Sequence, residues 1–163
     1  MKKWFFILLM MMMSTSGFAQ MPQGKLLRVS YNFGGMRMPE FGDFDLKRNT
    51  DGGEVEFSFY HYRKEMKVKE VPDSVFDALR TIIEEERMYE YAKSYRLPPD
   101  IEEGMLDGFH WSFDAWFEGD EYLSSTGRHV TPDGKGLRRI EDCLSEAARI
   151  AVERLEQEAP TAP

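Results

Sequence analysis

From Lys25 to Phe33 the apolar residues Leu27, Val29, Tyr31 and Phe33 alternate with Arg28, Ser30 and Asn32. A period of two places alternate side chains on opposite faces, so this stretch reads as a strand with one apolar side. A loop marked by Gly34, Gly35, Pro39 and Gly42 follows, then a short strand over Phe44–Arg48 with Phe44 and Leu46 on one face. Asn49-Thr50-Asp51-Gly52-Gly53 is a turn signal between two extended runs and predicts a hairpin. In Glu54–Tyr62, Val55, Phe57 and Phe59 oppose Glu54, Glu56 and Ser58. Glu65–Val71 alternates as well, with enough charge to suit a sheet edge.

Helical spacing takes over after Pro72. Asp73 or Ser74 can cap a helix there, and Val75, Phe76, Leu79, Ile82 and Ile83 recur at intervals of three and four. The reading carries this helix to about Lys93, before Pro98-Pro99 forbids continuation. Phe109–Phe117 returns to period two: Phe109, Trp111, Phe113, Ala115 and Phe117 share one face, His110, Ser112, Asp114 and Trp116 the other. Glu118-Gly119-Asp120 turns the chain into Glu121–Thr126. A glycine- and proline-containing loop over Arg128–Gly136 precedes a last helix, Leu137–Glu156, striped by Leu137, Ile140, Leu144, Ala147, Ala151 and Leu155. Four strands, a helix, two strands and a helix, joined by short turns, predict an α+β fold. We expect a single antiparallel sheet of about five or six strands with two amphipathic helices on one face. The other face is then left to Tyr60, His61 or Tyr62, and Trp116.

The first residues follow a different logic. Lys2 and Lys3 precede an unbroken apolar run, Trp4–Met13, and small residues at Gly17 and Ala19 suit a cut before Gln20. That is the pattern of a secretory signal. The run has about half the ~20 residues that span a bilayer, so no stable membrane anchor is expected after cleavage. The domain plan is therefore a signal peptide over residues 1–19, one α+β domain over 20–158 and a frayed tail over 159–163. Removing 19 of 163 residues leaves 144, enough for one core, and takes two lysines and no acid, which moves the formal charge from −8 to −10. The expected location is periplasmic or extracellular. Acidity of this size disfavours nucleic acid as a partner. The single cysteine, Cys143, rules out an intramolecular disulfide and reads as a buried thiol beside the helical stripe.

The later half carries a recognisable pattern: Trp111-x-Phe113-x-x-x-Phe117, then Ser124-Ser125-x-Gly127, Pro132, and a helix with Leu137 and Ile140. Upstream stand the signal segment, a first hairpin containing tyrosine and glycine, and Glu86-Arg87-Met88-Tyr89. In this the chain resembles a family of small, uncharacterised exported proteins of Bacteroidota-type bacteria. The resemblance implies fold and compartment and supplies no catalytic residues.

Candidate chemistry is sparse. The best segment is Ser124-Ser125-Thr126-Gly127-Arg128-His129, a strand end running into a glycine-containing loop before a helix, where Arg128, His129 and free N–H groups suit an anion. The competing reading, which we favour, is that its serines cap turns. A small hydrolase or anion-binding protein using the Ser124–His129 loop is an alternative, the hydrolase with Ser124 or Ser125, a histidine and an acid such as Asp114, although no Gly-x-Ser-x-Gly elbow is present. His61, His110 and His129 lack metal-ligand spacing, and a composite of His61 and His110 on neighbouring strands is the only metal arrangement left open. No cofactor motif occurs. The principal expectation is thus a non-enzymatic binding or protein-interaction domain with an envelope protein or glycan as partner. Its candidate ligand residues are Ser124, Ser125, Arg128, His129 and Trp116, the last either exposed on the open sheet face or partly buried under the first loop. N-terminal sequencing of the protein recovered from the envelope of an expressing bacterium is expected to begin at Gln20; an intact Met1 would remove the export reading.

Overall fold

The computed structural model describes residues 20–35, 39–49, 54–98 and 109–158. The signal segment, the Asn49–Gly53 turn beyond its first residue, the acidic loop around Asp100–Asp107 and the tail lie outside the described residues. The strands are β1 (Leu26–Gly34), β2 (Phe41–Arg48), β3 (Val55–His61), β4 (Lys64–Val68), β5 (Ser94–Tyr95), β6 (His110–Phe117) and β7 (Tyr122–Arg128). The helices are α1 (Asp73–Glu85) and α2 (Gly136–Glu158), with a short 3-10 turn at Met88–Glu90. One seven-stranded sheet runs in the order β4-β3-β2-β1-β6-β7-β5. Every pairing is antiparallel except β5 with β7, which is parallel. The expected α+β fold is present, as a mixed sheet of seven strands in place of a purely antiparallel one of five or six.

The apolar alternation places the core. Val29 and Tyr31 of β1, Phe44 and Leu46 of β2, Val55, Phe57 and Phe59 of β3, and Trp111, Phe113, Ala115 and Phe117 of β6 are all buried on one side. Phe76, Leu79, Ile82 and Ile83 of α1 and Leu137, Ile140 and Leu144 of α2 meet them. Each fully buried phenylalanine contributes on the order of 1.5–3 kcal/mol of transfer free energy. The charged strand β4 does sit at the sheet edge.

Five sequence expectations need correction. First, a register shift between Leu26 and Arg28 turns Leu26, not Leu27, into the core. A bulge adds one residue to a strand and reverses the parity upstream of it. Second, β2 begins at Phe41, three residues early, through another irregularity around Asp43, whose φ is 49°. Third, α1 has no side-chain cap; Pro72 holds the cap position, and Asp73 instead pairs with Arg48 at 2.9 Å. Fourth, α1 stops at Glu85. Arg87 turns left-handed at φ 50°, and the chain that periodicity would continue as helix becomes the 3-10 turn and β5. Tertiary contacts account for this: Thr126 donates its N–H to the Lys93 carbonyl at 3.1 Å, and Tyr95 packs on Trp111 with ring centroids 5.8 Å apart. Fifth, α2 buries Ala148 in place of Ala147, and Leu155 is exposed. The helix outruns the sheet, so its last turns have no strand beneath them.

The two helices are tied where they meet. Arg139, on the first turn of α2, donates to Glu85 at 2.7 Å and Glu86 at 2.8 Å, while the Lys135 N–H reaches Glu86 at 3.4 Å. The Arg139 hydrogen bond holds the Glu86 carboxyl below its ordinary range. In urea denaturation, Phe57→Ala is expected to cost about 3–5 kcal/mol, whereas Leu155→Ser should change stability by less than about 0.5 kcal/mol. Comparable losses at the two positions would mean that the end of α2 is covered.

Candidate functional site

Pairing β6 with β7 sorts the candidate segment residue by residue. Phe113 lies opposite Ser125 and Trp111 opposite Gly127, which puts Ser125 and Gly127 on the core side. Asp114 faces Ser124, Ser112 faces Thr126, His110 faces Arg128 and Trp116 faces Tyr122 on the helix-free side. The five candidates therefore divide between two faces of one sheet. Along β6, Trp116 and His110 are six residues apart, about 20 Å at strand rise, so Trp116 and Arg128 serve no common small ligand.

Ser125 is 2% exposed, and its hydroxyl donates to the Ala92 carbonyl at 2.6 Å. It pins the chain leading into β5. His129 lies beyond the end of β7 with φ 61°, its N–H given to the Phe109 carbonyl at 3.0 Å. Ser125 points into the core with its proton given to Ala92. Ser124 stands half-buried beside Asp114 on the open face. Gly127 has a packing role: a Cβ there would run into the Trp111 indole, whose Nε1–H donates to the Val130 carbonyl at 2.8 Å.

Trp116 is half-buried rather than fully exposed, because the Arg28 guanidinium lies over its ring, 4.6 Å from the centroid. Arg28 also grips Asp45 with two bonds, Nε to Oδ1 at 2.7 Å and Nη2 to Oδ2 at 2.9 Å. The strand register continues this polar surface as rows. Ser124, Asp114, Ser30, Asp45, Ser58 and Lys67 form one row across six strands. Tyr122, Trp116, Arg28, Lys47 and Glu56 form the next. Hydroxyls and compensated charges dominate the centre of the face.

Concave sites lie at its ends. Arg128 lines a cleft of about 600 Å³ together with Ser94, Arg96, His110 and Thr126. A second cleft, about 590 Å³, is walled by Phe33, Tyr60, Tyr62, Glu40, Asp43 and Arg63. Tyr60 is 42% and Tyr62 71% exposed. Tyr62 and Arg63 form the two-residue turn between β3 and β4 with φ values of 46° and 69°. Such turns favour Asn-Gly, since a left-handed non-glycine residue costs on the order of 1–2 kcal/mol. With Asp43, three left-handed side-chain-bearing residues ring this cleft. Sequence reading missed it because its residues come from two separate turns; the Tyr60-x-Tyr62 spacing was the only visible sign.

The composite His61–His110 arrangement fails, because β2 and β1 lie between β3 and β6. His61 instead stacks on Phe41 at 4.9 Å and lies 3.6 Å from Glu40. Among the described residues no group of three His, Cys, Asp or Glu side chains is placed to hold a metal ion. Cys143 is half-buried, and burial raises its thiol pKa, the opposite of what a nucleophile needs. No described helix is long and apolar enough to cross a membrane.

Ser125→Ala is expected to destabilise the fold by about 1 kcal/mol by removing the hydrogen bond from the buried Ser125 hydroxyl to the Ala92 carbonyl, and to speed hydrogen exchange at the Thr126 amide. Ser124→Ala should stay within about 0.5 kcal/mol of the parent. The reverse order would show that Ser125 faces the open side. No family model, no curated protein and no solved structure matches this chain.

Proposed function

We propose that the protein is an exported, non-enzymatic binding module that holds a hydroxyl-rich glycan against the helix-free side of its sheet. One observation carries this reading: Tyr62 is kept in a left-handed backbone conformation, largely exposed, at the mouth of a cleft shared with Tyr60 and two carboxylates. Strain of this kind persists where surrounding structure holds a side chain in place, and it concentrates at binding sites. Tyrosine rings offer flat apolar faces for the C–H side of a pyranose, and Glu40 and Asp43 accept hydrogen bonds from its hydroxyls. The cleft volume lies within the range of small-ligand sites.

The adjoining sheet favours a sugar over a protein surface. Protein interfaces concentrate apolar, charge-poor residues at their centre, whereas the rows here offer Ser30, Ser58, Ser124 and paired charges. The hydrolase alternative loses one of its two serines, because the Ser125 hydroxyl is spent on Ala92.

In NMR titration with soluble oligosaccharides of glucose, galactose, mannose and N-acetylglucosamine, saturable shifts are expected at Gly42, Tyr60 and Tyr62. Tyr62→Ala should weaken binding about tenfold or more, as loss of a central aromatic anchor does. No saturable shift with any of these sugars, or shifts confined to α1 and α2, would overturn the proposal.

A further inference from the structure

The two larger clefts of the sheet differ in charge. The Tyr60–Tyr62 cleft sets Glu40 and Asp43 beside Arg63, and the smaller hollows likewise mix acids with bases. The cleft of about 600 Å³ at the β5 edge does not. It holds the guanidinium groups of Arg96 and Arg128, the imidazole of His110 and the hydroxyls of Ser94 and Thr126, and none of its described lining residues is an acid. That runs against the balance of a chain with 29 acidic and 21 basic side chains. Sheet register gathers the group: His110 faces Arg128, and Ser94 faces Thr126. Arg96 follows the outer strand β5, is exposed, and forms no ion pair with any described residue.

The two clefts are neighbours. Gly34 lies opposite His110, and a Cβ on Gly34 would run into the imidazole. The missing side chain lets His110 lie across the end of β1. Phe33, the residue before, walls the tyrosine cleft. From β3, which carries Tyr60, to β7, which carries Arg128, is four strand steps, roughly 19 Å at the usual spacing between strands. Aromatic rings and acceptors thus stand at one side of a shared trough, and cationic donors at the other.

We propose that the glycan held at Tyr60 and Tyr62 is acidic, and that its chain continues past Gly34 to place a carboxylate in the cleft of Arg96 and Arg128. This rests on the glycan reading above and adds the charge of the ligand and its extent. A guanidinium presents two parallel N–H donors that match a carboxylate. The oxygens of Ser94 and Thr126 accept hydrogen bonds from hydroxyls of the same sugar. A cationic ligand would be repelled here, and a neutral one would gain no charge-assisted bond. A free small anion suits the charge of this cleft but leaves the tyrosine side unused, so the test separates the two sources of the anionic group.

The full chain is titrated by NMR, at low and high salt, with oligomers of galacturonate and of mannuronate, with their methyl esters, which lack the charge, and with monomeric galacturonate. At low salt at least one acidic oligomer is expected to bind about tenfold more tightly than its ester, the gain from charge-assisted hydrogen bonds. Amide shifts should then appear together at Tyr60, Tyr62, Thr126 and Arg128. High salt screens exposed charges and should erase the preference. Arg96→Gln should reduce it to about threefold or less. Lys69→Gln, the same loss of charge beyond β4 at the opposite edge, should leave it intact. Unchanged amide spectra away from each substitution establish that both variants are folded. Equal affinity of acid and ester for both sugars would overturn the assignment; shifts persisting at Tyr60 and Tyr62 in that case would leave the glycan reading standing. Monomeric galacturonate binding as tightly as the oligomer, with shifts confined to Ser94, Thr126 and Arg128, would make this a site for free anions and also overturn it. So would an unchanged preference in Arg96→Gln. Absence of saturable binding by every oligomer would remove both readings.

Discussion

The sheet has two faces, and the two α-helices among the described residues both lie on the same side. That one-sidedness governs the rest of the structure. Phe57 and Phe59 on β3, and Phe113 and Phe117 on β6, demand cover because large aromatic surfaces are costly in water. The helices α1 and α2 supply it, and their burial fixes which side of every strand points inward. A slip of one residue in any central strand would exchange its phenylalanines for serines and charges, so register is strongly specified. The open face, by the same constraint, must be built from whatever alternates with the core: serines, lysines, acids and the tyrosines at its rim.

Local polar contacts then fix what the core leaves undetermined. Arg139 binds Glu85 and Glu86 together and so sets where α1 ends relative to the start of α2. Exposed ion pairs contribute little individually, but this one joins the two helices where the chain leaves α1. Beyond it, the Ser125 hydroxyl and the Thr126 amide fasten residues 92 and 93, which lets Ser94–Tyr95 join the sheet as a parallel seventh strand. Tyr95 in turn closes over Trp111. A serine that looks like reactive chemistry in the sequence is thus a fastener for an edge.

Function is read from the places where these rules are strained. Tyr62 and Arg63 occupy a turn that small residues would fill at lower cost, and an exposed ring results.

The sequence by itself determined the strands and helices whose patterns are long and regular: β3, β6, the apolar face of α1 and most of the stripe of α2. Period two and period 3.6 report which atoms must leave water, and that demand is local. It also determined that Trp116 lies on the face opposite the core of β6, since it alternates with Trp111, Phe113, Ala115 and Phe117. Only the tertiary structure decided the rest. The bulge that exchanges Leu27 for Leu26, the early end of α1 at Arg87, the fifth strand and the inward turn of Ser125 all depend on partners distant in the chain. The aromatic cleft at Tyr60 and Tyr62 and the cationic cleft at Arg96 and Arg128 arise where separate elements meet. A linear pattern records the burial each residue seeks, whereas a pocket is defined by the surfaces that fail to meet, and no single segment contains that information.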